Sequence, residues 1–303
     1  MAKPDASHTL PKSIEDLQSL LSEQRYIADR NLATVIYLSL HMGRPLFLEG
    51  EAGVGKTEVA KVLAAGLEAP LIRLQCYEGL DIHQAVYDWN YTRQMLHIRL
   101  LEARGEQPDE AELFGPEFLL RRPLLEAIDS QGGIPPVLLI DEIDRSDAAF
   151  EAYLLEVLSD FQVTIPEIGT ITAGQRPQVV ITSNRTREVH DALKRRCLYH
   201  WIDYPSFEKE LEIVRAQVPQ AAEALARQVT AVVQSLRDRS LYKRPGVAET
   251  LDWLGALVTL GAKEVDQAVF EATMGALLKT EEDAAAMRGV AAAELLEQAK
   301  LHG

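Results

Sequence analysis

Residues 50–57 read Gly-Glu-Ala-Gly-Val-Gly-Lys-Thr, a fit to G-x-x-x-x-G-K-[ST], the loop that cradles phosphates. Such a run demands a strand before it and a helix after it, and both are present. Pro45-Leu-Phe-Leu-Glu49 reads as a short buried strand, and Glu58-Val-Ala-Lys-Val-Leu-Ala-Ala-Gly66 as a helix. Glycines 50, 53 and 55 let the backbone close around an anion, and the N–H groups at a helix N-terminus favour negative charge. The nucleotide-binding stretch is therefore Gly50, Glu51, Ala52, Gly53, Val54, Gly55, Lys56, Thr57 and Glu58. In it Lys56 reaches the β- and γ-phosphates of ATP, and the Thr57 hydroxyl coordinates Mg²⁺. The competing account is a glycine-rich turn ahead of an ordinary helix.

A second run, Val137-Leu-Leu-Ile-Asp141-Glu142, supplies what such a loop needs from a neighbouring strand. Apolar residues bury the strand, and carboxylates stand at its C-terminal end, where open parallel sheets hold their ligands. Asp141 is the candidate for the Mg²⁺ shell. Glu142 is the candidate base that polarises the attacking water. A strand followed by an acidic helix cap would carry the same letters.

The rest of the chain reads as strands alternating with helices up to about Pro205, then helices alone. Residues 1–12 carry two prolines and little pattern and are expected to be a loose tail. Ser13 is an N-cap candidate for a helix beginning Ile14-Glu-Asp-Leu17, and a second helix is expected over about Arg30 to Met42. Tyr26 and Ile27 lie just upstream of the phosphate loop, as lining for an adenine pocket or as plain packing. Leu71–Cys76 is a further strand, and 77–131 an irregular excursion of the length that loops with a function have. Gln162-Val-Thr-Ile and Gly169-Thr-Ile-Thr read as a hairpin, Gln178–Ser183 as a buried strand, Val189–Arg196 as a short helix and Cys197–Tyr204 as a strand. The shift to alanine- and leucine-rich helices sets the expected organisation: a nucleotide-binding core over 13–205 and a helical domain over 206–303.

Composition narrows the function classes. With 47% hydrophobic and 25% charged residues in 303, this is an ordinary globular chain. No apolar run approaches the roughly 18 to 20 residues of a membrane helix, and the opening residues hold no apolar signal core, so a cytoplasmic protein is expected. Two cysteines, Cys76 and Cys197, make no disulfide framework and read as small buried hydrophobes. The net charge of −15 argues against a broad nucleic-acid-binding surface, which needs clustered cations. The seven histidines are scattered without metal-ligand spacing.

Two more stretches bear on the site. Asn184 ends a buried strand, either as a turn residue or as a donor to the γ-phosphate or the lytic water. Lys194-Arg195-Arg196 closes a helix, where cations satisfy the dipole. One of these arginines could instead reach a neighbouring subunit's site as an arginine finger.

The order of these parts resembles the AAA+ ATPases. Gly50–Thr57, Leu138-Leu-Ile-Asp-Glu-Ile-Asp144, Ile181-Thr-Ser-Asn184 and Leu193-Lys-Arg-Arg196, followed by a helical lid, are similar to that superfamily's motifs and, within it, to its MoxR branch. Leu71–Asp81, Tyr87-Asp-Trp-Asn-Tyr91 and the stretch 183–196 resemble the MoxR subgroup associated with carbon monoxide dehydrogenase maturation. The likeness covers roughly residues 20 to 270. It implies an α/β fold: a P-loop core with a mostly parallel sheet flanked by helices, plus a smaller all-helical C-terminal lid.

The same resemblance assigns Lys56, Thr57, Asp141 and Glu142 to the Walker roles, Asn184 to sensor 1, and Arg196 to the finger, with Arg195 as the fallback. It places a helix 2 insert within 77–131 and makes Trp89, Asn90 and Tyr91 candidates for client contact, against a packing role. Many lids open a helix with a sensor 2 arginine; here Glu249 stands near that position, with Lys243 and Arg244 upstream, and sensor 2 stays unassigned. The family implies ATP, Mg²⁺, a homo-oligomeric, hexameric ring, a client metalloenzyme such as a molybdenum-containing dehydrogenase, and a von Willebrand A domain adaptor. Two alternatives use the same engine: a DNA-acting motor, disfavoured by the charge, and a nucleotide-gated scaffold with little turnover.

Overall fold

The computed structural model describes residues 10–107, 109–130 and 133–302. Along them run α1 (Ile14–Glu23), α2 (Arg30–Met42), β1 (Leu46–Gly50), α3 (Lys56–Gly66), β2 (Leu71–Gln75), α4 (Ile82–Ala85), β3 (Tyr87–Trp89), α5 (Tyr91–Arg104), α6 (Glu110–Leu113), β4 (Leu119–Arg121) and α7 (Pro123–Ile128). There follow β5 (Val137–Asp141), a 3-10 turn at Ile143–Arg145, α8 (Ala148–Asp160), β6 (Gln162–Ile165), β7 (Gly169–Thr172), β8 (Gln178–Ser183), α9 (Asp191–Arg196) and β9 (Leu198–Ile202). From there the described chain is helical: α10 (Phe207–Gln217), α11 (Glu223–Arg237), α12 (Val247–Thr259), α13 (Gln267–Thr273), a 3-10 turn at Met274–Ala276, α14 (Glu281–Ala286) and α15 (Val290–His302).

The chain divides into two compact units that are discontinuous in sequence. One holds the stretch up to Leu17, Arg30–Glu49 and Ala60–His200; the other holds Gln18–Asp29, Gly50–Val59 and everything from Trp201 onward. The phosphate loop thus groups with the C-terminal helices.

A five-stranded sheet in the order β2-β5-β8-β1-β9 organises the first unit. The pairs β1/β8, β5/β8 and β2/β5 are parallel, which is why β1, β5 and β8 are near-continuous apolar runs rather than alternating ones. Their register sets Glu49 beside Ser183 and Gln75 beside Asp141, so the C-terminal ends of these strands finish level. β2 ends the sheet, with Leu71 and Arg73 exposed along its edge. Phe47, Leu74, Leu138, Ile140, Ile181 and Leu154 belong to one core around these strands. A second core, around Val232, Trp253, Leu254, Phe270 and Leu295, belongs to the helices of the other unit.

Two expectations change. The 77–131 stretch is built, not irregular: Asn90 accepts from the Arg93 N–H to start α5, and Gly105 in the left-handed region stops it. Its apolar residues sit on several faces of that helix, Met95, Leu96 and Leu100 being exposed, so no helical periodicity shows in the sequence. The tail expected over 1–12 falls mostly on residues outside those described. Pro11 and Lys12, however, are tied down, the Pro11 carbonyl to His41 Nε2 at 2.9 Å and the Lys12 carbonyl to the Tyr37 hydroxyl at 3.2 Å.

Candidate functional site

The phosphate loop is backbone architecture. Gly53 and Gly55 take φ values of 77° and 93°, a region that side chains disfavour. At Gly50 the reason is space: a Cβ there would stand 2.2 Å from the Ile202 carbonyl oxygen. Lys56 is buried, and its ammonium donates to the carbonyls of Gly50 at 2.8 Å and Glu51 at 2.6 Å. The loop is therefore closed by its own lysine, with the positive charge held over the turn. A glycine-lined turn carrying a lysine ammonium and a threonine hydroxyl at a helix start fits a nucleotide's phosphates and a divalent cation. Val54 is buried, and Glu51 and Ala52 are exposed at the loop's outer side.

Tyr26 lies in the same unit, its ring edge 3.8 Å from where a Cβ of Gly55 would stand. Desolvation, reinforced by Asp29 and Glu58, pushes its phenol well above the ordinary tyrosine range, so it stays neutral. Ile27 is half-buried next to it.

The strand-end cluster in the other unit is side-chain architecture. Asp141 is 2% exposed, and both its oxygens are engaged: Oδ1 accepts from the Thr182 hydroxyl at 2.6 Å and Oδ2 from Arg73 Nη2 at 2.5 Å. Glu142 stands in the left-handed region at φ 55°, a conformation that costs a non-glycine residue on the order of 1–3 kcal/mol and concentrates at functional sites. Its N–H donates to Thr182 Oγ1 at 2.9 Å. Three donors then hold its carboxylate: Asn184 Nδ2 at 3.1 Å, Gln75 Nε2 at 3.0 Å and Arg145 Nη1 at 3.1 Å. An aspartate one turn on, Asp144, is buried and accepts from the N–H groups of Asn184 and Thr186 and from the Thr186 hydroxyl. It fixes the turn that aims Asn184.

The sequence motifs do not point to Gln75, Thr182, Asp144, Arg145 or Arg73 as members of this cluster. The signals existed: Asp144 follows the Asp141-Glu142 pair at a 3-10 spacing, and Gln75 is the polar C-terminal end of β2. Without the sheet order, nothing in the sequence sets β2 beside β5.

Arg195 and Arg196 end α9, and their carbonyls, with that of Cys197, accept from the guanidinium of Arg44. That distant arginine closes the helix's C-terminus. The Arg196 side chain donates to the Leu155 carbonyl at 2.8 Å. Arg195 is exposed and makes no side-chain hydrogen bond among the described residues. Lys194 turns inward to the buried Glu49 at 3.2 Å, which also accepts from the Tyr199 hydroxyl at 2.9 Å.

Of the three candidates for client contact, Trp89 is buried against Phe114 and Asn90 caps α5. Tyr91 alone is exposed, at 61%. Trp89 thus belongs to the insert's own core, and Asn90 serves as a half-buried helix cap. Among the described residues no His, Cys, Asp or Glu group is arranged to hold a metal by itself, and no helix is long and apolar enough to cross a membrane.

Comparison with known proteins fits this arrangement. The chain is similar to the gas vesicle ATPase GvpN1 of Halobacterium salinarum, 23% identical over 66% of this chain and 58% of that protein, so it spans under two thirds of that relative. It is also 23% identical to an uncharacterized protein of Staphylococcus haemolyticus, over 80% of this chain and 86% of that one. Among solved structures, the Holliday junction branch migration motor RuvB of Thermotoga maritima matches 88% of this chain and 72% of its own at 17% identity, with a TM-score of 0.46. Residues 45–197, from the start of β1 to the end of α9, match the AAA domain of the dynein-related subfamily. With a glycine-built phosphate loop and an Asp-Glu strand end inside that span, the chain belongs to the dynein-related AAA family, whose members use ATP and Mg²⁺.

Proposed function

We propose that this chain is an ATP-hydrolysing AAA+ chaperone of the MoxR type, working as a ring of identical subunits. The observation that carries the reading is the clamp on Glu142: a strained residue beside a buried aspartate, its carboxylate held by Asn184, Gln75 and Arg145. A glutamate that merely capped a turn would need no such set of donors.

When bound, Mg²⁺ with ATP would supply the phosphoanhydride to be cleaved. By the family resemblance, Lys56 and the loop N–H groups would hold the phosphates, and Thr57 and Asp141 would be the ligands of the cation. Glu142 takes a proton from the attacking water at its carboxylate, a role worth about 10² to 10⁴ in rate. Asn184 keeps that carboxylate aimed. The proposed organisation is a core over 13–205 with its insert inside 77–131, and a lid over 206–303.

The client reading rests on the resemblance of Leu71–Asp81, Tyr87–Tyr91 and residues 183–196 to the CoxD subgroup. By that resemblance the chain remodels a molybdenum-containing carbon monoxide dehydrogenase to admit its metal cofactor. A von Willebrand A domain adaptor would assist, and the work would be done in the cytoplasm.

An arginine acting on a neighbour's phosphate is the test of the ring. Arg196→Ala, or Arg195→Ala if the exposed arginine is the finger, should lower kcat about 10³-fold with ATP affinity nearly intact. Mixing that variant with Lys56→Ala subunits should restore part of the activity, because each supplies what the other lacks. Failure of both arginine variants to lower kcat would remove the shared site. Retention of a metalloenzyme by a Glu142→Gln trap with ATP bound would identify the client.

A further inference from the structure

The first turn of α12 lies directly on the phosphate loop, within one unit, and the approach is backbone on backbone. Ala248 donates its N–H to the Gly53 carbonyl at 3.1 Å. A Cβ on Gly246 would stand 2.7 Å from the Ala52 carbonyl oxygen and 2.8 Å from Gly53 Cα, and a Cβ on Gly53 would stand 3.2 Å from Gly246 Cα. Gly246 itself has φ −82° and ψ −177°, which any residue can adopt. Contact with the loop, not backbone conformation, is what requires glycine there. Glu249 stands where the family's lid arginine is expected; it donates nothing and instead accepts from the Gly246 N–H at 2.9 Å.

What fixes this turn in place is a buried ion pair. Glu210 is fully buried and Arg237 nearly so, and they meet bidentately at 2.6 and 2.7 Å. The Arg237 Nε donates to the Pro245 carbonyl at 2.8 Å, the residue immediately before Gly246. Glu210 also accepts from Thr250 Oγ1 at 2.7 Å and Gln234 Nε2 at 2.7 Å, and the Tyr204 ring lies 4.8 Å from the guanidinium carbon. Three helices, α10, α11 and α12, are thereby registered on one turn. Buried pairs contribute little net stability for the burial they require, and a registry role is their best-attested use.

We infer that the Glu210–Arg237 pair is a positioning latch for the phosphate loop. It seats the Pro245–Gly246 turn so that the start of α12 holds Gly53, and so sets nucleotide affinity through the loop's own backbone. The inference rests on the ATP reading above. It names Glu210, Arg237 and Gly246 as positioning residues.

The test uses the full chain, a fluorescent ATP analogue with Mg²⁺, and hydrogen exchange of the nucleotide-free protein. Two variants break the latch in different ways. Glu210→Leu/Arg237→Met removes the pair at similar volume; Gly246→Ala keeps the pair and wedges the turn off the loop. Each should weaken analogue binding about tenfold or more, as expected for residues coupled by contact. Each should also speed exchange at residues 246–250 and 50–55 while leaving the middle of α11 protected. A purely structural role would instead speed exchange throughout α10 to α12. If the double variant fails to fold, Arg237→Lys, which keeps the charge but loses the bidentate fork and the bond to the Pro245 carbonyl, carries the test with the same readouts. Folded variants that bind within twofold of the parent would overturn the latch. A parent that binds no analogue would overturn the ATP reading instead, with the exchange pattern still reporting on the latch.

Discussion

The phosphate loop and the strand-end cluster are built by opposite means. In the loop almost nothing is side chain: two glycines at positive φ, a third excluded from bearing a Cβ by the Ile202 carbonyl, and one lysine folded onto loop carbonyls. In the cluster almost everything is side chain: Asp141 and Glu142 from the end of β5, Thr182 and Asn184 from β8 and its end, and Gln75 from β2. Backbone groups are fixed before a ligand arrives and suit the ground state, whereas aimed side chains can respond to charge that develops in the transition state. Changes in the loop should therefore appear in affinity, and changes in the cluster in turnover.

The largest test of that division is Lys56→Ala. Loss of the ammonium should weaken ATP binding by about 10²-fold, the upper part of what a charge-assisted contact worth roughly 1.5–3 kcal/mol can supply; titration of the analogue would show it. Glu142→Gln comes next. Binding should stay within about threefold while phosphate release falls about 10²-fold, and a variant that lost both together would merge the two regions into one. Gln75→Ala should cost less, about tenfold in kcat, because Asn184 and Arg145 still hold the carboxylate. A change in KM alone would place Gln75 outside the cluster's work.

The smallest effect concerns Cys76, one residue past β2. Burial, reinforced by Asp141, Asp144, Glu142 and Glu151, pushes its thiol up to about 12. It should stay a neutral thiol and resist alkylation in the folded protein between pH 7 and 9, as read by mass spectrometry. Rapid labelling would mean that the cluster opens readily.

The two regions also differed in how far they could be read beforehand. Gly50–Thr57 is contiguous, so its chemistry is written in one run of letters, and the same holds for Asp141-Glu142 at the end of an apolar strand. Gln75, Thr182 and Asp144 matter only because strand order sets β2 and β8 on either side of β5, and pairing between distant strands has no local signature. Trp89 shows the reverse failure. An aromatic in a region marked for contact is buried against Phe114, because a small insert needs its own core. Met95, Leu96 and Leu100 hid α5 for a related reason: exposed apolar residues blur the helical period on which the eye depends. The helices beyond Pro205 were plain from composition, yet the grouping of Gly50–Val59 with them was not.

Arg73 serves two masters. Its guanidinium neutralises Asp141 from the edge strand β2, and it is also the one basic side chain on that strand, beside the exposed Leu71. Unpaired sheet edges invite other chains, and a charge there discourages them. A substitution made at Arg73 to unburden the aspartate would thus also strip the edge of its guard, and the first symptom would be colloidal: turbidity and loss on storage, ahead of any change in catalysis.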